Sequence, residues 1–293
     1  MEGTSGENME QDQEEAYSEE EVAASLVRWS AMTHVGKVRE NNEDAFLVMT
    51  LDGQSFHYLG KEGEGDLRSG DFVFAVSDGM GGAKAGEYAS RIAVEKMTRL
   101  LPKGFRSMAA GLSAGFADLF VELYAETNRA LNYLGSQYEE CQGMGATLTL
   151  AWLVPGWMYF AHIGDSRLYY LPRGGPLKQL SEDHSHVGWL RRTGKINERE
   201  ARMHPMRFSL NRALGAGHQF PEPQVGAVGF EPGDQFFLCS DGITDGLWDR
   251  QIEQLLREPD AREATLSPAP RLVEAALERS GRDNLTAFWF GVS

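Results

Sequence analysis

Carboxylates at the ends of apolar runs, in four separate places along the chain, are the side chains best suited to chemistry. The stretches are Arg39-Glu40-Asn41-Asn42-Glu43-Asp44, Asp78-Gly79-Met80-Gly81-Gly82, Asp241-Gly242-Ile243-Thr244-Asp245 and Gly281-Arg282-Asp283-Asn284. A carboxylate at a strand end is not engaged by the sheet and is free to coordinate. Several such groups brought together repel and raise one another's pKa unless a cation neutralises them. All-oxygen ligation favours hard ions such as Mg²⁺ or Mn²⁺ over zinc. Two such ions sharing a carboxylate can activate a water for attack on phosphorus. These residues point to a metal-dependent phosphatase.

The elements that must position them are short. Strand-like runs fall at 45–49, 72–77, 146–153, 158–163, 167–171, 235–240 and 285–290, bounded by Gly, Pro, Asp or Asn. A helix is predicted over 85–101, with Tyr88, Ala89, Ile92, Ala93, Met97 and Leu100 on one face. A second is predicted over 112–134 and a third over 268–280. Residues 51–70 are polar and Gly-rich and are taken as one long hairpin loop. Consecutive strands with short connections suggest antiparallel pairing. Two helices inserted as a block argue against a doubly wound sheet, so the expected class is α+β.

With 293 residues, 42% hydrophobic, the chain can bury a sizeable core. Its formal charge of −15 argues against an electrostatic grip on nucleic acid or an anionic membrane. Residues 1–22 hold nine of the acids and no Lys or Arg, and read as a disordered acidic tail before a globular part at 23–293. The N-terminus has no basic-then-apolar signal pattern, and no apolar run reaches the ~18 residues of a membrane span. Two cysteines, Cys141 and Cys239, fit a reducing compartment, so a cytoplasmic location is expected.

Taken in order, the motifs resemble the metal-dependent serine/threonine protein phosphatases (type 2C). The matching segments are 36–44, Asp78-Gly79-Met80-Gly81-Gly82, Gly143-Met144-Gly145-Ala146-Thr147-Leu148, Gly164-Asp165-Ser166-Arg167, Asp183-His184-Ser185, 240–245 and Asp283-Asn284. Each is weak singly; seven in the family's order are specific. The resemblance implies a four-layer sandwich, two central antiparallel β-sheets flanked by α-helices, with two Mn²⁺ or Mg²⁺ ions at one edge. It makes Asp78 the carboxylate bridging both ions, with the Gly79 carbonyl as another ligand. Asp241 and Asp283 complete one ion's shell and Glu43 serves the other, while Asp44 holds a water on the ions. Arg39 matches the position that grips the substrate phosphate, a task suited to a planar two-donor fork. Asp165 and Asp245 match ligands of a third, weaker metal. The implied substrates are phosphoserine and phosphothreonine proteins, with a Ser/Thr kinase or its targets as partners and a monomer as the working unit. Many members carry a histidine directly after Asp-Gly as proton donor. Met80 stands there in this chain, which leaves water held by the ions as the preferred donor.

Other signals carry less. His184-Ser185-His186 lacks a second pair at zinc spacing. The Gly188 to Lys195 stretch has one residue too many for a phosphate-binding loop, and Ile196 replaces its hydroxyl residue. Cys239 lies in an apolar run and is expected in the core. Between residues 187 and 214, where the family places a mobile flap, stand Arg191, Arg192, Arg199, Arg202, Arg207 and Arg212. They are read either as a solvated helix face or as a selector of phosphoprotein substrates. Two rival functions are a catalytically silent binding module of the same fold and an enzyme tuned to one regulatory protein. The retained acids weigh against the first, and Arg39 against the second.

Overall fold

The computed structural model describes residues 26–52, 55–81, 84–109 and 115–293. The acidic stretch 1–22, Gly82 and the first residues of the second predicted helix therefore lie outside the described residues.

The period-two alternation of the apolar runs builds two sheets. In chain order the strands are β1 Leu26–His34, β2 Asp44–Leu51, β3 Phe56–Tyr58, β4 Glu62–Asp66, β5 Asp71–Met80, β6 Gly145–Ala146 and β7 Leu148–Val154. They continue with β8 Trp157–Ile163, β9 Arg167–Leu171, β10 Lys178–Gln179, β11 Leu214–Gly215, β12 Gln224–Gly229, β13 Gln235–Cys239 and β14 Leu285–Val292. One sheet runs β10-β9-β13-β14-β1-β4. The other runs β11-β6-β5-β7-β8-β12, with β2 paired to β5 and β3 to β2. The two principal central pairs, β1 with β14 and β2 with β5, are both antiparallel.

Each strand feeds two cores. On β5, Phe72, Phe74 and Val76 point between the sheets, while Val73 and Ala75 point to the helices beyond. On β14, Phe288 and Phe290 face the same inter-sheet space, and Leu285 and Ala287 face outward. The Phe74 ring lies 4.7 Å from Phe288 and 4.8 Å from Phe290, which locks the sheets face to face. Helices α1 Ala85–Ala109 and α2 Phe116–Gln137 cover the second sheet. The other face of the first sheet is covered by α5 Asp241–Gly246, α6 Asp249–Arg257 and α7 Pro268–Arg279. Between β10 and β11 stand the short α3 His186–Arg192 and α4 Glu198–Met203. The result is the expected α+β sandwich of four layers.

Three details depart from the sequence reading. Residues 51–70 are not one loop, since β3 and β4 lie within them. The Glu62-Gly63-Glu64-Gly65 run shows no apolar alternation because its inward positions are glycines covered by foreign rings. A Cβ at Gly63 would stand 2.4 Å from Trp29, and one at Gly65 2.3 Å from Phe72. Strand β1 was not anticipated, although Val27, Trp29 and Ala31 alternate into the inter-sheet core. Helix α1 runs on to Ala109, and Tyr88 is 48% exposed. Its buried stripe is Ala85, Ala89, Ala93, Met97 and Leu101 at four-residue spacing.

Candidate metal centre

The alternation that packs the core also aims the acids. Asp78 continues the parity of Phe72, Phe74 and Val76, so it emerges at the end of the inter-sheet space. Asp44 is its cross-strand partner on β2 and shares parity with Phe46 and Val48. Backbone bonds fix this end of β5. The Asp78 amide donates to Thr147 Oγ1 at 2.9 Å, and the Thr147 amide donates to the Asp78 carbonyl at 2.8 Å. Gly79 is required by crowding: a Cβ there would stand 1.9 Å from the Gly86 carbonyl oxygen and 2.9 Å from that of Glu43.

The other sheet brings the remaining acids from β13 and β14. Asp241 opens α5 directly after β13, and Asp283 precedes β14. A Cβ at Gly242 would lie 2.0 Å from the Asn284 carbonyl oxygen, so the two turns meet only because residue 242 is glycine. Asn284, 3% exposed, ties the β1–β2 connection to this corner. Its Nδ2 donates to the carbonyls of Val35 and Asn41, both at 2.9 Å, and its Oδ1 accepts from the Glu43 amide at 2.8 Å.

The outcome is a cleft of about 610 Å³ lined by Arg39, Glu43, Asp78, Gly79, Asp165, Asp241 and Asp283. Asp44 does not line it but stands across from Asp78 on β2. A smaller cavity of about 70 Å³ adjoins the cleft and shares Asp165 and Asp241. Asp245 lines only this second cavity, beside Arg202 and Arg207. All the predicted site residues thus gather at one edge of the sandwich, with Asp245 set one cavity away.

Like charge at this density shifts the carboxylates. Withdrawal from water raises Asp78 well above its ordinary value, and the charges of Asp44, Asp241, Asp165 and Asp283 add to it. Asp241 is raised for the same reasons, burial first and then Asp165, Asp245 and Asp283. Burial lifts Asp44 to about 6 against the opposing bond from Ser240, and lifts Asp165 to about 7, with Asp183 adding. Glu43 is raised by burial, an effect eased by Arg39. Asp245 is raised by burial and eased by Arg207 and Arg202.

Such a set fits hard divalent cations. Asp44 Oδ2 accepts from Ser240 Oγ at 2.7 Å, but Oδ1 is the one buried side-chain polar atom among the described residues with no hydrogen-bond partner. An orphaned carboxylate oxygen beside a crowd of acids is what a hydrated cation would satisfy. Among the described residues no group of three or more His, Cys, Asp or Glu side chains is close enough, as the side chains stand, to hold one ion directly. Ions of the Mg²⁺ type keep several waters, which can span the gaps between carboxylates that do not touch one another. Arg39 supplies the positive charge within the cleft, 2.8 Å from Asp283 Oδ2 and 3.8 Å from Glu43 Oε2.

Three contributors lie inside the matched segments but receive no role in the sequence reading: Thr147, Ser240 and Asn284. Asn284 and Ser240 stand beside predicted acids, so adjacency was a usable signal. Thr147 acts across the sheet, and no spacing reveals that. The doubtful signals resolve as well. His184 stacks on buried His162 at 5.0 Å and accepts from the Gly164 amide at 3.1 Å, a packing role. Cys239 is fully buried. Several flap-region arginines have internal partners: Arg191 pairs with Asp249, Arg192 with Glu182, and Arg202 lies 3.7 Å over the Trp248 ring.

Comparison with known proteins agrees with this geometry. The family model described as Protein phosphatase 2C matches residues 62–280. Over 267 residues the chain is 33% identical to the serine/threonine protein phosphatase PstP of Mycobacterium tuberculosis, covering 89% of this chain. It spans only 44% of that relative's length. Over 256 residues it is 32% identical to the serine/threonine phosphatase stp of Listeria innocua, covering 87% of this chain and 91% of the relative. The crystal structure of the PstP catalytic domain in complex with two manganese ions superposes with a TM-score of 0.69 at 30% identity, covering 91% of this chain and 98% of that one.

Proposed function

Because this chain belongs to the protein phosphatase 2C family, we infer that it is a metal-dependent phosphatase that hydrolyses phosphoserine and phosphothreonine in proteins. The observation that carries the reading is the gathering of Asp78, Asp241, Asp283 and Glu43 in one cleft with Arg39, beside the orphaned oxygen of Asp44. The ions are two Mn²⁺ or Mg²⁺. When bound, they acidify a water as the nucleophile and hold phosphoryl oxygens for in-line displacement.

The chain's own residues do the rest. We assign Asp78, the Gly79 carbonyl, Asp241, Asp283 and Glu43 as the groups that would hold the two ions, with Asp241 and Asp283 serving one and Glu43 the other. Asp44 orients a water through Oδ1 while Ser240 holds its Oδ2. Asp165 and Asp245 are assigned to a third, weaker ion, supported by the raised pKa of each carboxyl. Arg39 reaches the cleft from an exposed loop, and its planar fork can donate two bonds to phosphoryl oxygens. Among the described residues no histidine or lysine lines the cleft, and Met80 stands after Gly79, so we assign the leaving alkoxide's proton to water.

The working unit is assigned to residues 23–293, acting as a monomer in kinase-linked signalling, with Ser/Thr kinases or their targets as partners. Two free cysteines support a reducing, cytoplasmic setting. No helix among the described residues is long and apolar enough to cross a membrane. The test is hydrolysis of a phosphothreonine peptide with Mn²⁺, with Mg²⁺ and with EDTA, beside Asp78→Asn. Metal-dependent turnover lost in that variant is the expected result. Turnover in EDTA, or in Asp78→Asn at the unsubstituted rate, would remove the metal assignment.

A further inference from the structure

The acids occupy only the floor of the cleft. Its rim is apolar and comes from three separate parts of the chain: Val38 beside Arg39, Met80 at the end of β5, and Phe208 with Leu210 from the segment between α4 and β11. Val38 is 69% exposed and Phe208 56% exposed. Met80 and Leu210 are half-buried. Single exposed apolar residues need no explanation, but two exposed and two half-buried ones around one charged opening do. The volume of about 610 Å³ exceeds what a phosphoryl group alone would fill and is in the range of sites that take a whole ligand.

Phe208 is held in place. The Ser209 amide donates to the Met206 carbonyl at 3.1 Å, and the Asn211 amide to the His184 carbonyl at 2.8 Å. Leu210 forms a β-bridge with Ser185, and the Arg207 guanidinium lies 3.9 Å over the Phe208 ring. The ring lines both the main cleft and the smaller cavity beside Asp245, so it forms part of the wall between them. An aromatic fixed at the edge of a polar pocket is suited to anchor an incoming side chain. Val38 is one residue from the arginine that faces the phosphate, so a contact at Val38 falls next to the phosphorylated residue.

We propose that this rim selects phosphoprotein segments carrying a bulky apolar side chain adjacent to the phosphorylated residue, with Val38 and Phe208 as the specificity-determining residues. The proposal rests on the phosphatase reading of the same site and names the class of substrate for it. It differs from selection by the arginines nearby, of which Arg191, Arg192 and Arg202 have intramolecular partners.

The experiment compares kcat/KM, with Mn²⁺, for two phosphothreonine peptides whose flanking residues are Leu or Ser, and for capped phosphothreonine alone. Partial burial of one apolar side chain predicts a preference of ~5-fold or more for the Leu peptide, expressed chiefly in KM. The variants Val38→Ser and Phe208→Ser stand on different elements, so misfolding of one leaves the other informative. Each is expected to reduce the Leu-to-Ser ratio, and the pair together to bring it near unity. Equal kcat/KM for the two peptides in the unsubstituted protein, or an unchanged ratio in both variants, overturns the proposal and leaves the phosphatase reading standing. Turnover of none of the three substrates overturns the phosphatase reading, and this proposal with it.

Discussion

Arg39 Nη2 donates to Asp283 Oδ2 at 2.8 Å, a contact across 244 positions of sequence that joins the β1–β2 connection to the turn before β14. Its Nη1 lies 3.8 Å from Glu43, so one guanidinium spans carboxylates brought by the two sheets. A residue placed this way restrains the cleft and, on the proposed function, contributes charge to a bound phosphoryl group. Arg39→Ala is expected to lower kcat/KM on a phosphothreonine peptide by ~10²–10³-fold, the range for removing one preorganised donor. Arg39→Lys keeps the charge without the planar fork and should fall between. Equal rates for the two variants would show that charge without the planar fork contributes nothing there.

Asn284 satisfies three backbone groups of that same connection through one buried side chain. Asn284→Asp keeps the acceptor for the Glu43 amide but cannot donate to Val35 and Asn41, and it adds a charge beside Asp283. The expected loss is about 2 kcal/mol of stability, as for buried groups left unpaired. Mn²⁺ binding by calorimetry should weaken together with kcat. A variant that is destabilised yet binds Mn²⁺ with unchanged affinity would make Asn284 a packing residue alone.

The layers and the acids were legible because both follow from alternation. Phe72, Phe74 and Val76 announce an inward face, and Asp78 is its next member. The helices showed the same legibility where their stripe was strict, and Tyr88 misled because it borders that stripe without entering it. What stayed hidden was non-local. Gly63 and Gly65 form strand only because Trp29 and Phe72 cover them, and Thr147 acts on Asp78 from the junction of β6 and β7. The arginines between 187 and 214 read as a free basic cluster, yet Arg191 and Arg202 hold α3 and α4 against the segment around Asp249 and Trp248. A sequence shows charge but not which charges are already paired.

His162, on β8, is fully buried. Its ring bonds with Thr149 Oγ1 at 2.9 Å and with the Gly164 and Glu182 carbonyls at 3.1 and 3.2 Å. Burial pushes its pKa down to about 4, against Asp183 and aided by Arg167, and burial with His162 pushes His184 down to about 3. An unfolded imidazole takes its proton near pH ~6.5. Both folded values lie below that, so the stabilisation is complete above about pH 6.5 and is lost as pH falls toward 4. The gap in Tm between the unsubstituted protein and His162→Gln should therefore narrow as pH is lowered from about 7 to about 4.5. Parallel Tm curves would mean that His162 does not titrate on unfolding.

The carboxylates carry the opposite sign. Asp44 at about 6 and Asp165 at about 7 hold protons more tightly when folded than when unfolded. In metal-free protein that stabilisation is present at low pH and lost as pH rises through 6–7. A divalent cation must displace those same protons, so its binding strengthens over the interval in which they leave. The rise in Tm produced by saturating Mn²⁺ should accordingly grow between about pH 5.5 and about pH 8. Asp78→Asn removes a carboxylate held against its neighbours' repulsion. It should leave the metal-free Tm at or above that of the unsubstituted protein while abolishing most of the Mn²⁺-induced rise. A drop in metal-free Tm would mean that Asp78 is stabilised by the fold rather than strained by it, and that the cleft does not require a cation to hold its acids together.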